Sequence, residues 1–165
     1  MTALTSPKPL CAGSDADGAA ELIGHILTRY HATHLAELPP VIALARRVET
    51  VHRSHPACPL GLADHLEDIL AELEQHQHKE EAVLFPAMLQ GGHPMLAFPI
   101  ARMQADHRSL EADLSVLAAF ADGFSPPEGA CGTWRALYAA CRKLHDDLVE
   151  HMRLENEVLF PRFAP

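Results

Sequence analysis

The sequence predicts an all-α protein, an antiparallel four-helix bundle built from two pseudo-repeated helix pairs. Apolar residues recur at steps of three and four along four long segments, which is the spacing of the buried face of a helix. Short connections rich in proline and glycine separate these segments. The stretch 76–86, HQHKEEAVLFP, returns as 151–161, HMRLENEVLFP, at a constant offset of 75 residues. The second helix is therefore expected to correspond to the fourth, and the first to the third.

The first helix is expected to follow a flexible leader over residues 1–14, where prolines and a glycine interrupt any periodicity. The helical bundle then occupies residues 15–165, and Asp15 or Asp17 can cap its first helix. Pro39-Pro40 predicts a kink, because proline removes a backbone hydrogen bond, and the pattern resumes beyond it. The buried face of this helix is predicted to contain Leu22, Ile23, Leu27, His31, Leu38, Val41, Leu44, Ala45 and Val48.

The second helix, predicted over residues 62–89, has the most regular apolar pattern. Its buried positions follow alternating steps of four and three, as in a heptad repeat: Leu62, Leu66, Ile69, Leu73, His76, Glu80, Val83 and Ala87. His76 and Glu80 therefore take buried positions where leucine would be expected. Because residues four apart lie on one face of a helix, both side chains point into the bundle.

The third and fourth helices also place polar residues on their buried faces. The third begins near Pro99, a favoured residue of a first helical turn. Its buried face contains Ile100, Met103, His107, Leu110, Leu114, Leu117 and Ala121. The fourth ends at Phe160-Pro161, and its buried face contains Leu137, Cys141, Leu144, Leu148, His151, Glu155 and Val158.

Two histidines of the first helix compete for the position equivalent to His107. Aligning the two halves at an offset of 76 residues places His31 opposite His107, whereas His34 falls opposite Leu110, an ordinary core residue. His31 is therefore the predicted partner of His107. His34 and His78 are expected to be hydrogen-bonding neighbours of the site. The solvated faces around it are expected to carry Lys79, Glu81, Arg153 and Glu157.

Six polar side chains are thus predicted to converge on one interior: His31, His76, Glu80, His107, His151 and Glu155. Buried carboxylates are costly unless they are paired, protonated or bound to metal. A hydrogen-bonded structural core is one interpretation, and a metal site is the favoured one. One tetrahedral zinc needs about four ligands, whereas six ligands with two carboxylates suit two metal ions that those carboxylates bridge. Imidazole and carboxylate together suit iron, with manganese or zinc as alternatives.

The composition argues against several classes of partner. A formal net charge of −9 without a basic stripe argues against nucleic acid and against anionic membrane surfaces. No apolar run reaches the length of a membrane span, and the N-terminus lacks a signal pattern, so a cytoplasmic location is expected. The four cysteines, at positions 11, 58, 131 and 141, form no CxxC pair and are expected to be free thiols in that compartment.

Several motifs resemble those of the hemerythrin-like domain, and within it most closely the di-iron proteins called Repair of Iron Centres. They are Tyr30-His31 followed by Glu37-Leu38-Pro39, ExVH at 49–52, HxxKEExxLFP at 76–86, Pro99-Ile100 before Asp106-His107, Pro126-Pro127 with Ala130-Cys131 and Thr133-Trp134, and HxxLENxxLFP at 151–161. The resemblance covers about residues 28 to 163. It implies that the matching histidines supply two nitrogens to each of two non-haem irons. The irons are then expected to be bridged by the matching glutamates and by an oxo group.

The resemblance also implies a function in the response to nitrosative and oxidative stress. The Repair of Iron Centres proteins are implicated in the recovery of iron–sulfur proteins, so repair of damaged iron–sulfur centres or iron donation is expected, with nitric oxide binding at the di-iron site. Longer members of that family carry a small N-terminal domain with a Cys-Cys pair, where this sequence has a short leader with the single Cys11. The alternative is an oxygen- or nitric-oxide-binding or sensing module without turnover. A metal store or a zinc-stabilised bundle is a third interpretation, and enzymatic activity is left open.

Overall fold

The computed structural model describes residues 13–91 and 94–163 and has the predicted antiparallel four-helix bundle. Helix α1 consists of Gly13–Ile26, a π-helical turn at Leu27–His31, and Ala32–Val51. Helix α2 consists of Leu62–Lys79, a π-helical turn at Glu80–Leu84, and Phe85–Leu89. The leader predicted over residues 1–14 lies almost entirely outside the described residues, as do the side chains of the predicted caps Asp15 and Asp17.

The second helix pair repeats this arrangement. A 3-10 turn at Pro94–Leu96 leads into α3, which spans Ala97–Phe120 and so begins slightly before the predicted Pro99. Helix α4 consists of Gly132–Arg153 and a π-helical turn at Leu154–Leu159, and a 3-10 turn at Phe160–Arg162 follows it. In the first pair, Pro39 and Pro40 lie on the exposed side of a segment that stays α-helical on both sides of them. None of the helices in the described part of the chain is long and apolar enough to cross a membrane.

The π-helical turns correct part of the predicted buried faces. A π-helical turn holds about one residue more than an α-helical turn, so the buried face shifts by one position beyond it. In α2, the predicted core residue Val83 is therefore 62% exposed, whereas Leu84, Phe85 and Met88 are buried. Ala87, which the heptad pattern also assigned to the core, is only half-buried.

The same correction applies to α4, and the predicted buried face of α1 differs for other reasons. In α4, the predicted core residue Val158 is half-buried, and Leu159 and Phe160 are buried instead. In α1, the predicted residues Leu22, Leu27 and Leu44 are half-buried, but this is not a shift beyond the π-helical turn, because Leu22 precedes that turn and the predicted residues Leu38, Val41, Ala45 and Val48 beyond it are buried. In α3, which is α-helical throughout Ala97–Phe120, every predicted core residue is buried: Ile100, Met103, His107, Leu110, Leu114, Leu117 and Ala121.

The apolar core is divided into two clusters with a polar layer between them. The larger cluster lies towards the α1–α2 connection and includes Leu38, Leu73, Leu110 and Leu148. The smaller cluster lies at the opposite end of the bundle and includes Ile26, Leu84, Met103 and Leu159. The buried polar side chains of each helix lie in sequence between the members of the two clusters. The fold therefore encloses a polar layer that apolar side chains cover on both sides.

The end of the bundle beyond the larger cluster is held by residues of the ExVH motif. Glu49, near the end of α1, accepts hydrogen bonds from the backbone N–H groups of Gly61 and Ala63, at 3.1 and 2.8 Å, and so caps α2. His52 Nε2 lies 3.1 Å from Sγ of Cys131, which immediately precedes α4. The motif thus joins three helices far from the polar layer. Within the described residues, Cys58, Cys131 and Cys141 are free thiols, as predicted.

Candidate metal centre

The six predicted site residues all lie in the polar layer, and none is more than 6% exposed. Each helix supplies one histidine, and α2 and α4 each supply a glutamate one turn later. The π-helical turns contain or begin at three of them, namely His31, Glu80 and Glu155. π-helical turns are frequent at functional sites, because they re-aim side chains without ending the helix.

The ligand atoms form two groups of four that share both carboxylates. Site A is formed by His31, Glu80, His151 and Glu155, and site B by His76, Glu80, His107 and Glu155. Within each group, one ligand atom per residue lies within 4.8 Å of every other. Nitrogen and oxygen ligands at this spacing can hold a metal ion, so the layer offers two adjacent cation positions.

Each carboxylate lies between one histidine of site A and one of site B. Oε2 of Glu80 is 3.4 Å from His31 Nε2 and 3.3 Å from His76 Nε2. Glu155 places Oε1 3.1 Å from His151 Nε2 and Oε2 3.1 Å from His107 Nε2. The two oxygens of Glu155 thus face different sites, whereas one oxygen of Glu80 is close to a histidine of each site. The arrangement therefore suits two cations bridged by two carboxylates.

The histidine nitrogens face each other in pairs. His31 Nε2 and His151 Nε2 are 3.2 Å apart in site A, and His107 Nε2 and His76 Nε2 are 3.1 Å apart in site B. Neither oxygen of Glu80 accepts a hydrogen bond within the described residues. A buried carboxylate in this condition is costly, whereas a cation beside it would offset its charge. The donor set thus fits a bound metal ion better than a hydrogen-bonded core.

The neighbouring carboxylates and imidazoles change the pKa values of three residues in the layer, His31, His76 and Glu155. Burial would lower the pKa values of His31 and His76, but the neighbouring Glu80 carboxylate outweighs burial and raises both. Burial would raise the pKa of Glu155, but the charge of His151 and hydrogen bonds from His107 and His151 hold it well below its usual range. The buried carboxylates thus favour the protonated forms of His31 and His76, and a metal ion bound in place of those protons would release them.

Two equivalent positions of the repeat contact histidines of the site at Nδ1, the ring nitrogen that faces away from the two groups of ligand atoms. Oε1 of Glu81 is 2.8 Å from Nδ1 of His31, and Oδ1 of Asn156 is 2.9 Å from Nδ1 of His107. When Nε2 binds a metal, Nδ1 carries the proton and donates it to these oxygens. Glu81, which the sequence assigned to a solvated face, therefore contacts the site directly, and so does Asn156, which the sequence did not single out.

The phenylalanines of the two LFP segments also have equivalent contacts. Phe85 stacks on His31 with ring centroids 5.8 Å apart, and Phe160 stacks on His107 at 5.9 Å. Tyr30 stacks on His151 at 5.3 Å, with the ring planes 7° apart. These rings exclude water from the imidazoles and fix their orientation. The buried LFP phenylalanines are thus explained by the site as well as by the core.

His34, His78 and Gln77 differ from what the sequence suggested. His34 is fully buried, but it belongs to neither group of four, and neither of its nitrogens has a hydrogen-bond partner among the described residues. Burial lowers its pKa to about 3. His78, predicted to be a hydrogen-bonding neighbour of the site, is exposed and belongs to neither group of four. The Gln77 side chain is buried and has no hydrogen-bond partner among the described residues. In the sequence, its burial was indicated only by its equivalence in the repeat to Met152, which is a core residue.

A cleft of about 260 Å³ opens beside site B. His76, Lys79, Arg102 and Asp106 are among the residues that line it. Asp106 is paired with Lys79 Nζ at 3.0 Å and with Arg102 Nε at 3.2 Å. Its Oδ2 is 3.8 Å from Nδ1 of His76, which is beyond hydrogen-bond distance. The cleft therefore brings polar surface next to one ligand of site B, His76.

Comparison with known proteins agrees with the resemblance found in the sequence. The chain is 43% identical over 143 residues to the probable iron-sulfur cluster repair protein of Haemophilus influenzae, an alignment that covers 87% of the chain and 64% of that protein. It is 45% identical over 141 residues to the iron-sulfur cluster repair protein YtfE of Yersinia pestis, covering 86% of the chain and 64% of that protein. The chain thus spans somewhat less than two thirds of the length of these relatives. The model of the hemerythrin HHE cation binding domain matches residues 22–163. The chain therefore belongs to the hemerythrin family of HHE cation-binding domains.

Proposed function

We propose that the chain is a cytoplasmic non-haem di-iron protein that repairs damaged iron–sulfur centres, or donates iron to them, under nitrosative or oxidative stress. The observation that carries this proposal is the position of Glu80 and Glu155, each between a histidine of site A and a histidine of site B. Four imidazoles and two bridging carboxylates suit iron among the metals that proteins use. The similarity to proteins named for iron–sulfur cluster repair supports the choice of target.

The residues of the layer define what the chain contributes to that chemistry. An iron pair bound here would supply one-electron redox chemistry and, where a coordination position stays open, a binding site for nitric oxide or oxygen. Glu80 and Glu155 would hold the two ions at a fixed separation. Phe85, Phe160 and Tyr30 would keep the imidazoles dry and in place. Glu81 and Asn156 would hold the ligating tautomer of His31 and His107.

Binding or sensing without turnover is the second candidate function. The observation that favours it is the cleft beside His76, which would let a diatomic molecule or a small reductant reach site B from the surface. A chain that only binds nitric oxide or oxygen needs this access, and it needs no contact with an iron–sulfur protein. The two functions therefore differ in whether the loaded chain changes the state of a damaged partner.

The test is a repair assay with metal analysis. The chain is loaded with iron without oxygen, its metals are counted, and it is mixed with a [4Fe–4S] hydro-lyase whose cluster nitric oxide has damaged. Repair predicts two irons per chain and recovery of hydro-lyase activity, with no recovery from a Glu80→Ala, Glu155→Ala double variant. Optical changes on nitric oxide addition without any recovery of activity would support the binding module instead. Zinc alone, or one metal per chain after growth in iron-rich medium, would overturn the di-iron proposal.

A further inference from the structure

The two halves of the metal centre are related by the repeat but differ in the groups outside their ligands. Positions 81 and 156 are equivalent at the offset of 75 residues, and both side chains accept a hydrogen bond from Nδ1 of a ligating histidine. In site A, however, the acceptor is the carboxylate of Glu81, and in site B it is the neutral amide of Asn156. The two halves of the repeat thus share the hydrogen bond but differ in the charge of its acceptor.

This difference acts on the metal through the imidazole ring. A carboxylate attracts the Nδ1 proton more strongly than an amide oxygen does, which makes Nε2 of the same ring a stronger donor to a metal. His31 therefore binds a cation more strongly than His107 does. Glu81 also brings a negative charge close to site A, although its side chain is 47% exposed, so solvent weakens that contribution.

The nearest additional carboxylate of site B does not cancel this difference. Asp106 lies 3.8 Å from His76 Nδ1 and makes no hydrogen bond to it. Its charge is already balanced by Lys79 and Arg102, at 3.0 and 3.2 Å. A charge that two cations neutralise contributes little attraction for a third.

Access to solvent differs in the same direction. In site A, His151 is fully buried under Tyr30, and His31 is 2% exposed under Phe85. In site B, His76 is the most exposed of the six ligands, at 6%, and lines the cleft. Water and small chelators therefore approach site B first.

We infer that the two metal positions are unequal, with the cation at site A held firmly and the cation at site B exchangeable through the cleft. This inference rests on the proposed di-iron function and adds to it which iron is mobile. An iron donor or a ligand-binding centre then acts through site B, while site A keeps the bundle assembled. Glu81 and Asn156 are the positioning residues that set the difference.

The experiment follows the release of iron from the loaded, reduced chain to the ferrous chelator 2,2′-bipyridine. Two phases of equal amplitude are expected, with rates at least about tenfold apart, because an outer hydrogen-bonding partner changes metal affinity by roughly 10- to 100-fold. Asn156→Asp supplies a carboxylate to His107 and should slow the fast phase about tenfold. Glu81→Gln removes the charge from His31 and should speed the slow phase by a similar factor. The control, Glu157→Gln, changes an exposed carboxylate that pairs with Arg153 and should leave both phases as they are.

A spectroscopic measurement separates the two positions without relying on rates. After the fast phase, the ⁵⁷Fe that remains should give one Mössbauer doublet, which Glu81→Gln shifts and Asn156→Asp does not. A wild-type chain that retains no more than one iron would overturn the proposed function and this inference with it. Two irons that leave in a single phase, or an Asn156→Asp variant with an unchanged fast phase, would overturn the inference alone.

Discussion

The Nε2 atoms of His31 and His151 face each other 3.2 Å apart, and both rings are buried. Two imidazoles at this distance need a proton or a cation between them, because two facing lone pairs repel. Burial would lower the pKa of His31, but the Glu80 carboxylate outweighs burial and raises it, so the protonated form of this ring is favoured. The layer therefore favours bound positive charge, and a metal ion would supply that charge without protonation of the histidines.

Removal of the metal should therefore destabilise the fold. Ions that bind the folded chain but not the unfolded chain add about 4 kcal/mol to the free energy of unfolding at a thousandfold excess over Kd. For a chain of this length that corresponds to a melting temperature lower by about 8–16 °C in the metal-free form. Calorimetry of the loaded and chelated protein measures the difference. Equal melting temperatures, with metal content verified, would contradict a bound metal that supports the layer.

Loss of either shared carboxylate should empty the centre. Glu80→Ala and Glu155→Ala each remove a group that contacts both sites, so most of the iron should be lost. Glu81→Ala should lower iron affinity about tenfold, because all six ligands stay in place but the hydrogen bond to His31 is lost. Glu157→Ala, on an exposed side chain, should keep full iron content. Metal analysis of the four purified variants gives the order, and comparable iron in Glu80→Ala and Glu157→Ala would disprove it.

The sequence was sufficient to predict the four helices and the six converging side chains, because their signals are local and repeated. Histidine and glutamate four residues apart on an apolar face appear twice, and an alignment of the halves distinguishes His31 from His34. The π-helical turns could not be predicted from this periodicity. Beyond Glu80, an apolar residue occurs both at the position expected for an uninterrupted α-helix, Val83, and at the position shifted by one residue, Leu84. The apolar spacing therefore does not indicate which of the two is buried.

The outer contacts of the site were also beyond the sequence, for a different reason. A charged residue beside a ligand, such as Glu81, is most often solvated, and only the register between α1 and α2 brings it to His31. Asn156 gives no signal alone. Its equivalence to Glu81 is visible in the repeat, but a role follows only when the partner across the helix pair is known.

The Cys141 thiol should resist alkylation in the folded protein. It is fully buried, and burial raises its pKa to about 12, so at pH 8 only on the order of one part in ten thousand is thiolate. Cys58 and Cys131 are half-buried and should react first. Iodoacetamide labelling followed by peptide mass spectrometry, with and without denaturant, measures this. Labelling of Cys141 in the native protein at the rate of Cys131 would contradict the packing of the larger apolar cluster.

His34 should make the metal-free fold sensitive to acid. Its pKa is about 3 in the folded chain and about 6.5 when unfolded, so below pH 6.5 the unfolded chain binds a proton that the folded chain does not. Stability then falls as the pH drops from 6.5 towards 3, by up to about 1.4 kcal/mol per pH unit. His31 and His76, with raised pKa values, act in the opposite direction, because their stabilisation is present below pH 6.5 and is lost as the pH rises.

Comparison with His34→Leu isolates that contribution. Both proteins retain His31 and His76, so the difference between their two pH profiles of unfolding free energy reports mainly on His34. The difference should grow by about 2 kcal/mol between pH 6.5 and pH 5. Urea unfolding at a series of pH values provides the profiles. Parallel profiles would show that His34 gains a proton in the folded state as readily as in the unfolded one.

The final prediction concerns the division of roles between His31 and His34, three residues apart on the same helix. His31 Nε2 lies within reach of both Glu80 and Glu155, at 3.4 and 4.0 Å, whereas His34 belongs to neither group of four. His31→Leu should therefore lose much of the iron and the absorption of the bridged pair. His34→Leu should keep both irons, because it leaves every ligand in place.

His34→Leu should also raise the stability of the metal-free chain. His34 has two buried nitrogens without a hydrogen-bond partner among the described residues, and leucine of similar volume removes both. The free energy of unfolding of metal-free His34→Leu should thus rise by about 1–3 kcal/mol. Circular dichroism establishes that both variants fold, and iron analysis with optical spectra then assigns the ligand. If His34→Leu lost its iron and His31→Leu kept both irons, the ligand that α1 supplies would be His34 and not His31.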